Sequence, residues 1–173
     1  ADLAVLPETW TTSYPDDLEA VADRDGYPTL PMISRAAQQH NINIIAGSIT
    51  DIRGGAVYNT MYAVDRQGSI IGSYDKVHLF GLMGETGYFK PGRKLSCFEV
   101  DGILFGAEIC YDLRFPEISR ALALKGAKVL VIPAEWPYPR LHHWRVLNMA
   151  RAIENQLFVV AVNRVGKTAK YEF

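Results

Sequence analysis

The chain has 173 residues, 49% of them hydrophobic, and a formal net charge of -1. This composition supports a buried core and most simply one domain over 1-173, and it excludes a disordered chain or a strongly basic one built to follow nucleic acid. No apolar run approaches the roughly 20 residues that span a bilayer, and two cysteines without a signal peptide point to free thiols in a reducing cytoplasm.

In chain order, Leu3 to Leu6 is an apolar run stopped by Pro7, which predicts a core strand delivering Glu8 to its C-terminal end. Taken alone, Glu8 also reads as a solvated loop residue. Thr9 to Pro28 is a polar loop carrying Trp10 and Tyr14 near that strand end, placed to roof a pocket or to shield the core. Leu30, Ile33, Ala36 and Ala37 have helical spacing, so Leu30 to His40 reads as an amphipathic helix. Ile42 to Ile49 reads as a second buried strand. Val57 to Val64 and Ser69 to Tyr74 flank Asp65-Arg66-Gln67-Gly68 as a hairpin, whose second arm leads to Lys76.

Gly81 to Pro91, with Glu85 inside it, reads as an irregular loop. Leu95 to Val100 and Ile103 to Ile109 form a strand pair around Asp101-Gly102, with Cys97 as inert core. Pro116 to Lys125 is a helix stopped by Gly126, and Val129 to Ile132 is a buried strand ended by Pro133. Leu141 to Gln156 is the longest helical pattern, with Leu141, Trp144, Leu147 or Met149, and Ile153 inward, and Leu157 to Val162 is the last strand. Helices alternating with single strands and hairpins predict an α/β fold with mixed sheets.

Cys110 lies where the apolar run Gly102 to Ile109 meets a helix started by Pro116. A thiol on such a turn faces backbone amides and a helix dipole, both of which favour the thiolate. The plain alternative is a small buried hydrophobe. Glu8, Lys76 and Cys110 all fall at strand ends, the edge on which layered sheets gather their sites. A carboxylate in an apolar pocket, its pKa raised, can take the thiol proton. An ammonium and the amide of Tyr111 can stabilise an oxyanion.

At these residues the chain resembles the carbon-nitrogen hydrolase (nitrilase) superfamily. Its Glu-Lys-Cys triad looks matched by Leu6-Pro7-Glu8, by Tyr74-Asp75-Lys76-Val77-His78-Leu79-Phe80 and by Ile109-Cys110-Tyr111-Asp112-Leu113-Arg114-Phe115-Pro116-Glu117. Ala134-Glu135-Trp136-Pro137 and Arg151-Ala152-Ile153-Glu154-Asn155-Gln156 extend the similarity, and Glu85 matches a second glutamate found in many members. The resemblance implies a four-layer αββα sandwich, a homodimer or higher homo-oligomer, and cofactor-free hydrolysis of a C-N bond through a thioester on Cys110. The Asp-x-Arg-Phe-Pro-Glu run and the Glu-Trp-Pro loop are most similar to the omega-amidase (2-oxoglutaramate amidase) type. That type implies a small amide substrate, the omega-amide of a dicarboxylic acid. True nitrilases and carbamoylases share the triad, and a non-catalytic binding module on this fold is a further alternative.

Members normally carry a strand and helix before Leu-Pro-Glu and a strand pair after Asn163-Arg164-Val165-Gly166, so the sequence reads as a piece truncated at both ends. Phe80, Tyr111 and Trp136 are candidate pocket walls. Arg114 is a candidate for holding a substrate carboxylate, or for pairing with Glu117 or another acid to fix the turn. His78, His142 and His143 lack ligand spacing, so no metal site is expected.

Overall fold

The computed structural model describes residues 1–14, 17–168 and 170–173. Its first sheet contains β1 (Leu3–Val5), β2 (Asp23–Arg24), β3 (Asn43–Ile45), β4 (Ile49–Arg53), β5 (Ala56–Val64) and β6 (Ile70–Asp75). The nine-residue β5 is its spine, pairing antiparallel with β3 and then β4 along one side and with β6 along the other. The second sheet contains β7 (Cys97–Val100), β8 (Ile103–Ala107), β9 (Val129–Ala134) and β10 (Phe158–Asn163), in the order β10-β9-β8-β7. The helices are α1 (Thr29–His40), α2 (Glu85–Tyr88), α3 (Pro116–Leu124) and α4 (Leu141–Asn155).

Alternation along β5 decides the layering. Met61 and Ala63 turn one way, into a core shared with Phe98, Phe105 and Ala107 of the second sheet, while Val64 turns the other way onto Ile33 and Ala37 of α1. α3 and α4 cover the far face of the second sheet, so the order is helix, sheet, sheet, helix: the expected αββα sandwich. The sheets approach closely at Gly72, where a Cβ would stand 2.7 Å from Phe98.

Several boundaries differ from those expected. Ile42 to Ile49 is not one strand: Ala46-Gly47-Ser48 bulges between β3 and β4, and Gly47 takes φ +54°. The segment Gly81 to Pro91 is not an irregular loop. It holds a 3-10 turn at Gly81–Met83 followed by α2, elements too short for periodicity to reveal. Pro133 does not end its strand, because β8 stops pairing with β9 at Val131 and β9 continues to Ala134 beside β10 alone. The Thr9 to Pro28 loop contains β2, parallel to β4, and its Pro15 and Asp16 lie outside the described residues.

On α4, Trp144 is buried and Leu141 and Leu147 pack on the core, but Met149 and Ile153 are exposed. Arg151 is the buried residue of that last turn. Its guanidinium donates to the Leu113 carbonyl at 2.7 Å and pairs with Glu154 at 3.0 Å, so a polar anchor takes the place the apolar pattern gave to Ile153. Cys97 lies half-buried at the margin of the core.

Candidate active site

Glu8 follows β1 and rests on the bulge between β3 and β4. Ser48 N donates to the Pro7 carbonyl at 3.2 Å, and Thr9 N donates to Ser48 Oγ at 3.0 Å. Only a residue without a side chain fits at Gly47, since a Cβ there would lie 1.9 Å from the Pro7 oxygen. Lys76 follows β6 and is tied on both sides: its N–H donates to Asn59 O at 2.9 Å and its carbonyl accepts from Gly92 N at 2.8 Å.

Cys110 opens a 3-10 turn, Cys110–Arg114, with φ +47°, a conformation that side chains other than glycine rarely adopt. Asp112 holds that turn in place. One of its oxygens accepts from Ile109 N at 3.1 Å and Tyr74 OH at 2.8 Å, and the other from His78 N at 2.8 Å, with His78 Nδ1 at 2.9 Å. The clamp thus links the cysteine turn on the second sheet to the first-sheet strand that ends at Lys76. His78 stacks on Phe115 at 3.6 Å, which accounts for it without a ligand role.

The structure brings Glu8, Lys76, Glu85 and Cys110 together in one buried cluster. Lys76 Nζ donates to Glu8 Oε1 at 2.7 Å and to Glu85 Oε1 at 2.6 Å. Glu8 Oε1 also accepts from Asn59 Nδ2 at 2.8 Å, and Oε2 from Glu135 N at 2.8 Å. Glu85 Oε2 accepts from Phe80 N at 2.6 Å. Burial pushes Glu8 up, but the Lys76 charge and these donors outweigh it and hold the carboxyl below its ordinary range. This corrects the expectation of a raised pKa: Glu8 sits in a polar cradle rather than an apolar pocket.

Glu85 lies above its ordinary range, through burial and the facing Glu8 charge, against the pull of Lys76. Lys76 stays charged, because the carboxylates overcome the effect of burial. For Cys110, burial and then the Glu8 charge push the thiol well above its usual value, despite Lys76. That reverses the expected preference for thiolate: a five-residue 3-10 turn offers little dipole, and two carboxylates face the sulfur. The resting group is therefore the thiol, with the Glu8 charge beside it.

Above Cys110 lies a narrow cleft lined by Phe80, Tyr111, Arg114, Trp136, Pro137 and Arg140. The three predicted wall residues, Phe80, Tyr111 and Trp136, line it together with Arg114. The Arg114 guanidinium lies 4.8 Å from the Trp136 ring and 5.9 Å from Tyr111, with His143 Nδ1 at 3.3 Å as its polar neighbour. It does not pair with Glu117: among the described residues its ring stacking carries it toward the cleft instead. Arg140, not singled out in the sequence, stands 5.8 Å from the Phe80 ring. A larger open cleft, about 440 Å³ and lined by Tyr58, Asp75, Arg93 and Lys94, contains none of these side chains.

Sequence reasoning also missed Asn59, Tyr14 and the second-layer role of Glu135. Glu135 is buried, accepts from Thr9 Oγ1 at 3.1 Å and Ser13 Oγ at 3.0 Å, and pairs with Arg164. It lay within the Glu-Trp-Pro loop, and its place directly after the apolar Val129 to Ile132 run was the available signal.

The carbon-nitrogen hydrolase family model matches residues 1–173. The chain is 48% identical over 174 residues to a 2-oxoglutaramate amidase of Bacillus subtilis (strain 168), covering 100% of this chain and 67% of that protein. It is 30% identical over 181 residues to the omega-amidase NIT2 of Danio rerio, covering 99% and 65%. The crystal structure of XC1258 from Xanthomonas campestris, a CN-hydrolase superfamily protein with an arsenic adduct in its active site, superposes with a TM-score of 0.93. That structure is 32% identical, covering 100% of this chain and 67% of the other. The chain thus spans about two thirds of the length of the relatives it matches.

Proposed function

Since this chain belongs to the carbon-nitrogen hydrolase family and is similar to 2-oxoglutaramate amidase and omega-amidase, we propose that Cys110 attacks the carbonyl carbon of a small linear amide. One observation carries this reading: the Lys76 ammonium, 2.7 and 2.6 Å from two buried carboxylates, lies in the same cluster as the thiol.

Ionised Glu8 takes the thiol proton as sulfur bonds to the carbonyl carbon, and the C=O electron pair moves onto oxygen. Lys76 has three N–H protons, two of them committed to Glu8 and Glu85, so the third is available to the oxyanion beside the Tyr111 amide. Glu8 passes its proton to nitrogen, the C–N bond breaks, ammonia leaves, and a thioester remains on Cys110. Water then gives a proton to Glu8 and its oxygen to the carbonyl carbon. The C–S pair returns to sulfur, Glu8 reprotonates it, and the carboxylic acid departs. No step in this route draws on a metal or cofactor.

The substrate proposed is the omega-amide of a dicarboxylic acid. Arg114, stacked at the cleft and free of a carboxylate partner among the described residues, would take the distal carboxylate. The similarity to 2-oxoglutaramate amidase favours this over a nitrile or carbamoyl substrate. We read 1-173 as one domain of a cytoplasmic enzyme. Among the described residues no helix is long and apolar enough to cross a membrane. Pairing into a homodimer through α3 and α4 would cover Leu124, Met149 and Ile153, which stand exposed.

The test uses the full-length protein that carries this chain, with 2-oxoglutaramate, succinamate, a nitrile panel and N-carbamoyl amino acids. Ammonia release and an acyl adduct on the Cys110 peptide after an early quench are expected with the two amides, and neither with Cys110→Ala. Ammonia release that survives Cys110→Ala, or no release from any of these compounds, would overturn the reading.

A further inference from the structure

Tyr14 has no place in the triad, yet its hydroxyl closes the cluster. It lies 3.2 Å from Glu8 Oε1 and in a short hydrogen bond with Glu85 Oε1, and Lys76 Nζ joins the same two oxygens from the other side. Four polar atoms therefore form a closed ring: ammonium, carboxylate, phenol, carboxylate. The loop that carries Tyr14 is fixed independently, by Thr9 and Ser13 on Glu135, whose own amide holds Glu8 Oε2. The ring of Tyr14 meets Phe89 edge-on at 6.5 Å.

We propose that Tyr14 is a positioning residue: its hydroxyl bridges the two carboxylates that share Lys76 and so keeps Glu8, rather than Glu85, as the ionised one. This rests on the reading of Glu8 as the base. A phenol has one proton to give. When Glu85 carries the shared proton, it donates to the Tyr14 oxygen, and the Tyr14 proton turns to Glu8 Oε1. Glu8 then holds donors from Lys76, Asn59, Tyr14 and Glu135 N, the environment of a stable carboxylate. When Glu8 takes the thiol proton, Glu85 keeps its own, so the Tyr14 hydroxyl still accepts from Glu85 and donates to Glu8 Oε1. The one proton that moves is the one passing from sulfur to Glu8.

The charged and titratable groups facing this ring are Lys76 after β6, Cys110 after β8, and Glu135 with its Arg164 partner after β9. Lys76 favours the charged form of both carboxylates. Glu135 and the Cys110 thiolate disfavour it. None of these three bridges Glu8 to Glu85 with a neutral donor that can face either way.

The experiment is the pH profile of kcat/KM for Tyr14→Phe in the full-length enzyme. Loss of a donor to a charged group raises the pKa of the base by about one unit. The acid limb should therefore move up by about one pH unit, with kcat/KM about tenfold lower beneath the limb and within about twofold of wild type well above it. Incorporation of 3-fluorotyrosine at position 14, a stronger donor, should move the same limb down, which keeps the test open if the phenylalanine variant does not fold. An unmoved limb in a folded variant, or a loss that is equal at all pH values, overturns the role of Tyr14 while leaving the hydrolase reading intact. A wild-type enzyme with no Cys110-dependent turnover overturns both.

Discussion

Replacement of Lys76 by methionine keeps most of the side-chain volume and removes only the charge. Lys76 is fully buried, and its ammonium is the one cation in contact with Glu8 and Glu85 among the described residues. Removing one partner of a buried ion pair costs about 3–5 kcal/mol, because the remaining charge is left without compensation. Here the ionised Glu8 would be stranded beside the Glu85 carboxyl, so a loss within that range is expected near pH 8. The sign with pH follows from linkage. In the variant both carboxyls would have folded pKa values above their unfolded values, so protonation relieves the penalty. The deficit should be largest at alkaline pH and shrink as pH falls toward about 5. Urea denaturation of both proteins at several pH values measures it, and Lys76→Met with Glu85→Gln should recover part of the stability. Turnover should fall at least a hundredfold in both, through the lost oxyanion donor. A deficit under about 1 kcal/mol, or one independent of pH, would refute the account of Lys76 as the counter-charge.

Gly47→Ala should destabilise the fold by more than about 2 kcal/mol in thermal or urea melts, because its Cβ meets backbone oxygens of Pro7 and Leu6 at 1.9 and 2.5 Å. Glu108 is buried behind the nucleophile, bonded to Ser119 at 2.5 Å, and burial pushes its pKa up to about 8. The folded protein then keeps a proton that the unfolded chain releases near about pH 4.3. Its stability contribution is full below that pH and is lost as pH rises through about 8. Glu108→Gln should remove that decline, so the gap between variant and wild-type urea midpoints should widen in the variant's favour from about pH 6 to about pH 9. Arg114→Leu should raise KM for omega-amides with a free carboxylate about 10- to 100-fold, with little change for a neutral amide, as steady-state ammonia release would report.

The proposed trio of Glu8, Lys76 and Cys110 was legible because each member follows a strand whose end is marked in the sequence. Pro7 stops β1, Gly68 and the preceding turn fix the hairpin that leads to Lys76, and Pro116 starts the helix beyond Cys110. The pairing of β5 with two successive short strands was not legible, since the apolar pattern of Ile42 to Ile49 runs straight through the bulge. The charge states of the site were misread for a related reason. They depend on donors from distant segments, Asn59 on β5 and the amide of Glu135 beyond β9, which no local spacing announces. Arg151 and Ile153 make the same point on α4: a long basic side chain reached an inward carbonyl that only the folded chain supplies. Tyr14 was noticed only as part of a loop, because its partners lie 6 and 71 residues away.

The contact between Gly72 and Phe98 carries a mechanical consequence. Glu8 and Lys76 are carried by one slab of the sandwich and Cys110 by the other, so the gap between slabs sets how far sulfur stands from its proposed base. A methyl group wedged in at Gly72 would pry that gap open from well outside the reaction centre. Catalytic alignment here is thereby a property of wall spacing, and substitutions between the slabs can blunt turnover without touching a reacting atom.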